Sequence, residues 1–220
     1  MKDIAIYGVG GFGREILALI KEINKVDPIY HIVGFFDDGH EKGEIVNGIP
    51  VLGKMDELNG WPTEIDVVVA IGDSEIRKHV VNRINNPKVS FPSLIHPNVV
   101  IEDAEFVKTG IGCIICAGNI FTTNIVVGDF VIFNLGCTIG HDVSIGDYVS
   151  LMPSCNVSGE VTIAEGAYCG TGVKIINQIL IGKNVTVGAG AVVTMTIPDD
   201  CVAVGVPARI IKKKNTGQKK

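Results

Sequence analysis

Residues 127 to 162 read VGDFVI-FNLGCT-IGHDVS-IGDYVS-LMPSCN-VSGEVT, and the same six-residue pattern continues to Pro198. Each hexad begins with an apolar residue, and a second small or aliphatic residue stands four places later. A period of six fits neither the 3.6-residue repeat of a helix nor the 2-residue repeat of an ordinary strand. It is typical of a parallel β-helix, in which short strands wind into stacked coils. Chance alternation in an ordinary sheet is a poor explanation for twelve consecutive hexads.

The two apolar positions of the hexad predict the core of this β-helix. The first positions are Val127, Phe133, Ile139, Ile145, Leu151, Val157, Ile163, Cys169, Ile175, Ile181, Val187 and Val193. The second positions are Val131, Cys137, Val143, Val149, Cys155, Val161, Ala167, Val173, Ile179, Val185, Ala191 and Ile197. We expect both sets to face inward.

Composition argues against several classes of protein. With 46% hydrophobic residues and 27 glycines, the chain is globular and rich in turns. A net charge of −5 disfavours nucleic acid as a partner. No stretch approaches the length of a membrane span, and glycines interrupt the first apolar run too early for a signal peptide. We therefore expect a cytoplasmic protein with no nucleic-acid or membrane partner.

The six cysteines raise the question of zinc or disulfides. Cys113 and Cys116 form a CxxC pair, but the sequence has no second pair or clustered histidines to complete a zinc site. Cys137, Cys155 and Cys169 fall on inward positions, where a free thiol packs as a small hydrophobe. We predict buried, reduced cysteines, as in cytosolic proteins, and no metal site.

The first 90 residues have the pattern of an α/β unit with a parallel sheet. The predicted elements are strands at 2–7, 31–36 and 65–71 and helices at 14–24 and 74–84. Between the first strand and the first helix, Gly8-Val9-Gly10-Gly11-Phe12-Gly13 matches GxGxxG in the context that this motif requires. The second strand ends at Asp37-Asp38, a spacing that suits an acid on a ribose.

The glycine loop predicts a ligand with phosphate, because glycine allows close approach to the backbone and a helix start offers free N–H groups. The unit is too short for the six-stranded dinucleotide fold, which favours a single nucleotide or nucleotide sugar over a nicotinamide dinucleotide. The alternative is a tight turn that binds nothing.

We place the domain boundaries from these patterns. Residues 1–90 form a Rossmann-like half-domain, 91–210 a β-helix, and 211–220 a basic, flexible tail. Spacing between Val107 and Asn124 is interpreted as two residues out of phase with the later hexads, which predicts an insertion near Ile125 and Val126.

His141 and Asp142 are the candidate chemical groups of the β-helix. His141 stands two places after an inward residue, so we expect it to project from a corner, where the repeat does not require a histidine. A neighbouring carboxylate could orient the ring or raise its basicity, as suits a general base near neutral pH. A solvated surface His–Asp pair is the alternative.

Several motifs in order resemble the bacterial hexapeptide-repeat sugar acetyltransferases, in particular the sialic acid O-acetyltransferase and UDP-4-amino-sugar N-acetyltransferase type. The motifs are the glycine loop, Gly34-Phe35-Phe36-Asp37-Asp38, Leu94-Ile95-His96-Pro97, Ile139-Gly140-His141-Asp142, Gly188-Ala189-Gly190 and Gly205-Val206-Pro207-Ala208. The resemblance implies a left-handed β-helix with three hexads per coil. It also implies a homotrimer that binds acetyl-CoA, and no metal, in grooves between subunits.

The same resemblance implies roles for individual residues. His141 would be the general base, Asp142 would hold its ring, and the Gly159 N–H would polarise the thioester carbonyl. The residues implied to bind the nucleotide end of the acceptor are Gly8, Gly10, Gly11, Gly13, Asp37 and Asp38. The residues implied to line the path of the coenzyme are Gly188, Ala189, Gly190, Gly205, Val206, Pro207 and Ala208.

Several functions remain open from the sequence. The first is acetyl transfer to a UDP-linked amino sugar for a surface glycan, and the second is O-acetylation of sialic acid or a related sugar. Amino-sugar enzymes of the family often carry a second histidine nine residues after the base, where this chain has Ser150. A non-catalytic scaffold is a third possibility. A zinc hydratase would need about three histidine ligands, but the β-helix offers His96 and His141 alone.

Overall fold

The computed structural model describes residues 1–214 and divides the chain into two compact units, Met1–Pro97 and Asn98–Lys220. The division falls after Pro97 rather than after residue 90, where the sequence interpretation placed it. Each unit has its own hydrophobic core.

The first unit is a six-stranded sheet with three helices. Its strands are β1 (Lys2–Tyr7), β2 (Tyr30–Phe36), β3 (Ile45–Val46), β4 (Ile49–Gly53), β5 (Ile65–Val69) and β6 (Val89–Ser90), and a further short strand, β7, spans Leu94–Ile95. Its helices are α1 (Gly11–Val26), α2 (Met55–Asn59) and α3 (Ser74–Arg83). The sheet order is β3-β4-β2-β1-β5-β6, parallel except for the β3–β4 hairpin.

The predicted α/β pattern is confirmed, with β1 at the centre of the sheet. Ile4, Ala5 and Ile6 are fully buried there, as a central parallel strand requires. Helix α1 buries Ile16, Ile20 and other apolar residues of one face. The sequence interpretation missed the β3–β4 hairpin and α2, which are short and carry little periodic signal.

The second unit is a parallel β-helix with three faces. Its first face holds β10 (Ile114–Ile115), β13 (Ile132–Phe133), β16 (Ser150–Leu151), β19 (Tyr168–Cys169), β22 (Thr186–Val187), β24 (Cys201–Val204) and β25 (Arg209–Lys213). Its second holds β8 (Val100–Ile101), β11 (Ile120–Phe121), β14 (Thr138–Ile139), β17 (Asn156–Val157), β20 (Lys174–Ile175) and β23 (Val192–Val193). Its third holds β9 (Val107–Thr109), β12 (Ile125–Val127), β15 (Ser144–Ile145), β18 (Thr162–Ile163) and β21 (Leu180–Ile181).

The hexad interpretation is confirmed by the register and by burial. Residues 18 apart pair in parallel, as Phe133 does with Leu151 and Ile139 does with Val157. All 24 predicted inward residues are buried, and Ile179, at 7%, is the most exposed of them. All six cysteines are free and buried, in agreement with the prediction that they pack as apolar groups.

A left-handed backbone conformation recurs at the corners of the coils, once in every six residues. Residues with positive φ occur at Gly112, Gly118, Asn124, Phe130, Gly136, Asp142, Tyr148, Ser154, Glu160, Gly166, Gly172, Gln178, Asn184 and Gly190. Asparagine, aspartate and glycine adopt this conformation at least cost. Asp142, with φ of 59°, is therefore a regular corner residue of the repeat.

Two details of the sequence interpretation were wrong. Ile101 pairs with Phe121, twenty residues on, whereas Val107 pairs with Ile125, eighteen residues on. The two extra residues therefore lie between β8 and β9, and not near Ile125 and Val126.

The second error concerns the start of the predicted tail. Residues 211–213 belong to β25, which pairs antiparallel with β24. This pairing satisfies backbone groups that β24 would otherwise leave open at the edge of its face. Residues 215–220 of the predicted tail lie outside the described residues.

Candidate active site

His141 stands at a corner of the β-helix, between β14 and β15, as predicted. Its Nδ1 lies 2.7 Å from Oδ2 of Asp142, and both side chains are about half exposed. The left-handed φ of Asp142 turns the chain at this corner, which lets the carboxylate reach back to the preceding ring. The pair is therefore a product of corner geometry, which the sequence alone did not provide.

The second oxygen of Asp142 is also held. Nδ2 of Asn124, one coil earlier, donates to Oδ1 of Asp142 over 3.0 Å. The hydrogen bonds from His141 and Asn124 hold the pKa of Asp142 below its usual value. An ionised carboxylate can only accept a hydrogen bond, so we assign the ring proton to Nδ1 of His141. Nε2 is then free to accept a proton.

Gly159 lies one coil after His141 and gives room to its ring. A Cβ added to Gly159 would overlap Nε2 and Cε1 of His141, so the ring packs directly over the glycine backbone. Gly159 is buried, and within residues 1–214 its N–H has no hydrogen-bond acceptor. The free nitrogen of His141 and an unpaired backbone donor therefore come together at this corner.

Replacing Gly159 with alanine is expected to lower kcat by about 100-fold, the cost of displacing a reacting group by roughly 1 Å. Gly159 does not have a positive φ, so the backbone accepts alanine and the thermal midpoint should change little. Steady-state kinetics and a thermal melt of the same preparation check both statements. An unchanged kcat would show that the position of the ring over Gly159 has no role in catalysis.

In the first unit, the structure brings the glycine loop and Asp37 together. The N–H of Val9 donates to Oδ2 of Asp37 over 2.8 Å, and the N–H of Gly39 donates to Oδ1 over 2.8 Å. Gly8 has φ of 111°, and a Cβ on Gly13 would overlap the Gly8 carbonyl. Both glycines are thus required by the turn, and Asp37 fixes the loop.

Gly10 and Gly11 lie at the start of α1, where both are exposed. No acidic residue occupies the first turn of this helix, so its N-terminus can accept an anion. This geometry fits the predicted contact with phosphate.

Asp38 contacts groups that the sequence interpretation missed. Its Oδ1 accepts from the N–H of Met55 over 3.1 Å, and its Oδ2 pairs with Arg83 over 2.9 Å. Partial burial acts to raise the pKa of Asp38, but these hydrogen bonds outweigh it and hold the pKa low. Burial, with the nearby Asp38 carboxylate, raises the pKa of Tyr7 well above its usual value. Asp38 thus links β2 to α2 and α3.

The predicted coenzyme residues come together near the last coils. The N–H of Gly188 donates to the carbonyl of Ala203, and the N–H of Ala208 donates to that of Val192, each over 2.8 Å. These bonds place the turn of Gly188, Ala189 and Gly190 beside that of Gly205, Val206, Pro207 and Ala208. The first turn lies between β22 and β23, at a different corner from His141.

The chain is similar to known proteins along its whole length. Residues 3–84 match the PglD N-terminal domain. The chain is 32% identical to the GDP-perosamine N-acetyltransferase of Escherichia coli O157:H7, over 98% of this chain and 99% of that enzyme. The chain belongs to the hexapeptide-repeat sugar acetyltransferases. It is an acetyltransferase with acetyl-CoA as co-substrate, and its second unit is the left-handed β-helix of this family.

Two solved structures agree with this assignment. PerB of Caulobacter crescentus, in complex with CoA and GDP-perosamine, has a TM-score of 0.86 and 28% identity over 96% of this chain and 98% of its own. The acetyltransferase domain of PglB from Neisseria gonorrhoeae FA1090, with acetyl coenzyme A, has a TM-score of 0.86 and 32% identity over 96% and 99%.

Other relatives match part of this chain over part of their own length. The chain spans 41% of the serine acetyltransferase of Synechococcus elongatus, with 35% identity over 117 residues. Residues 1–214 contain no group of three or more His, Cys, Asp or Glu side chains that could hold a metal ion. Within the same residues, every helix is too short or too polar to cross a bilayer.

Proposed function

We propose that this enzyme transfers the acetyl group of acetyl-CoA to the amino group of a nucleotide-linked amino sugar, with His141 as general base. The observation that carries the proposal is the corner at which Asp142 holds Nδ1 of His141 while Nε2 stands over Gly159. The relatives that match along the whole chain support an amine acceptor.

The reaction follows from this geometry. His141 Nε2 takes a proton from the acceptor amine as its nitrogen attacks the thioester carbonyl. The N–H of Gly159 donates to the oxyanion that develops on that carbonyl. The carbon–sulfur bond then breaks, and the imidazolium returns the proton to the sulfur of CoA. Asp142 stabilises the imidazolium and does not itself take a proton.

The first unit would hold the nucleotide of the acceptor. The start of α1 suits the diphosphate, and the oxygens of Asp37 retain lone pairs for a ribose hydroxyl after accepting from Val9 and Gly39. The sequence resemblance suggests UDP, whereas the nucleotide sugar of the Escherichia coli and Caulobacter relatives is linked to GDP.

The active site would lie between subunits of a homotrimer in the cytoplasm. Gly190 and His141 occupy different corners of one β-helix, at opposite edges of the face that holds β14 and β23. In a cyclic trimer, the coenzyme residues of one chain can lie beside the base of the next. Measuring the molar mass in solution tests this arrangement, which predicts three chains.

Release of CoA across a panel of acceptors tests the proposed substrate. The panel comprises UDP-, GDP- and dTDP-linked 4-amino sugars, together with sialic acid. We expect turnover with at least one amine and a kcat/KM at least about 100-fold lower for its hydroxyl counterpart, because a neutral amine attacks a thioester far more readily than a hydroxyl does. Turnover of sialic acid alone would establish O-acetylation instead, and no turnover with any acceptor of the panel would overturn the proposed substrate class.

Ser150 does not provide a second base in this chain. It is fully buried in β16, between the partner positions Ile132 and Tyr168. A serine hydroxyl is itself too weak a base to accept a proton from an amine near neutral pH. The proposed proton transfer therefore uses His141 alone.

A further inference from the structure

We infer that Asn124 is a positioning residue for the base, and that its amide fixes the Asp142 carboxylate which in turn fixes the His141 ring. The inference rests on the proposed function and adds to it a third member of the catalytic corner. Asn124 does not reach the reacting atoms itself, because its amide bonds to the far oxygen of Asp142.

The geometry forms a chain of three side chains across two coils. Nδ2 of Asn124 donates to Oδ1 of Asp142 over 3.0 Å, and Oδ2 of Asp142 lies 2.7 Å from Nδ1 of His141. A half-exposed carboxylate with a single partner can rotate toward water. With both oxygens bonded, Asp142 has one orientation, and that orientation sets the tautomer and plane of the ring.

The simpler explanation is that Asn124 serves only to adopt the left-handed backbone conformation of its corner. Its φ is 55°, and asparagine is among the few non-glycine residues that favour this conformation. That explanation accounts for the backbone but not for the direction of the amide. The two explanations differ in what a glycine at this position would do, since glycine keeps the corner and removes the amide.

The chain offers a matched control at another corner. Asn184 has φ of 53°, and its Nδ2 donates to Oδ1 of Asp200 over 3.0 Å, the same contact between the same groups. The residue before Asp200 is Asp199 rather than a histidine. Asn184→Gly therefore reproduces the loss of the amide bond without any effect on a base.

Two further carboxylates among residues 1–214 bond to side chains beside the corner of His141. Asp103 accepts from the hydroxyl of Thr123, and Glu160 accepts from the amide of Gln178. The backbone N–H of Glu160 donates to the carbonyl of His141. Asp142 is the carboxylate that pairs with the ring.

Kinetics of Asn124→Gly and Asn184→Gly test the inference. With acetyl-CoA and the best amine of the acceptor panel, Asn124→Gly should lower kcat by about tenfold, less than the roughly 100-fold cost of a 1 Å displacement. The KM for acetyl-CoA should stay the same. Asn184→Gly should retain kcat within about twofold, because its corner holds no reacting group. Equal effects of the two variants would overturn the inference.

A spectroscopic readout separates positioning from a loss of structure. Nitrogen NMR of ¹⁵N-histidine protein, with His141→Asn to assign the signal, should show the Nδ1–H tautomer in the wild type and in Asn184→Gly. Asn124→Gly should show a mixture of tautomers. An unchanged tautomer in Asn124→Gly would refute the role assigned to the amide.

Asn124→Asp is a second variant, which keeps a side chain suited to the corner. A new carboxylate beside Asp142 favours the imidazolium form, so the acid limb of kcat/KM should move to higher pH. An unmoved limb would contradict the coupling. If His141→Asn itself retained full activity, the proposed base would fail. If His141→Asn were inactive while Asn124→Gly and Asn124→Asp behaved as the wild type, the inference alone would fail.

Discussion

Replacing His141 with asparagine is expected to lower kcat by about 100- to 10,000-fold, the range that a positioned general base contributes. Asparagine fills much of the same volume and can still donate to Asp142, so the corner should keep its shape. The KM for acetyl-CoA should change little, because binding of the coenzyme does not depend on the base. Initial rates of CoA release, at saturating concentrations of both substrates, measure the loss.

The matched control for this variant is His31→Asn. His31 also pairs with an aspartate, Nδ1 to Oδ1 of Asp3 over 2.8 Å, and both side chains are largely exposed. This pair lies in the α/β unit, whereas Gly159 lies beneath the ring of His141. His31→Asn should therefore retain the wild-type kcat. A His141→Asn enzyme as fast as His31→Asn would remove His141 from the mechanism.

The fold could be predicted largely from the sequence because each coil of a β-helix repeats the same requirement. The inward residues of every hexad must be apolar, because each coil buries them against the coils above and below it. Positions such as Phe133 and Val157 therefore identify the fold. The start of the repeat was harder to place, because the extra residues between β8 and β9 change the spacing while leaving the strand pairing intact.

The site was harder to predict from the sequence, because its decisive contacts join residues far apart in the chain. Asn124 and Asp142 are 18 residues apart, and Arg83 and Asp38 are 45 apart. The first pair could have been found from the period of the coil, which brings residues 18 apart into register. The second pair has no such signal, because it depends on how α3 packs against the sheet.

Replacing Phe133 with alanine is expected to lower the free energy of unfolding by about 3–5 kcal/mol, the cost of removing a large aromatic side chain from a closed core. Phe133 is fully buried, and its ring meets that of Phe121 at 4.9 Å with an interplanar angle of 76°. That edge-to-face contact contributes about 0.5–1.5 kcal/mol beyond burial. Its loss is included in the expected decrease in the free energy of unfolding. Urea unfolding of the wild type and the variant, at one protein concentration, measures the difference.

Phe106→Ala provides the comparison, because Phe106 is half exposed and lies in the bend before β9. Its effect on the free energy of unfolding should stay within about 0.5 kcal/mol, as for most surface changes.

Phe133 lies in the coil that leads into His141, and coils stabilise their neighbours directly. Part of the loss in Phe133→Ala should therefore appear as a lower kcat below the unfolding transition, where Phe106→Ala remains fully active. A Phe133→Ala protein within about 1 kcal/mol of the wild type would mean that the coils relax around the cavity, contrary to the close packing of this core.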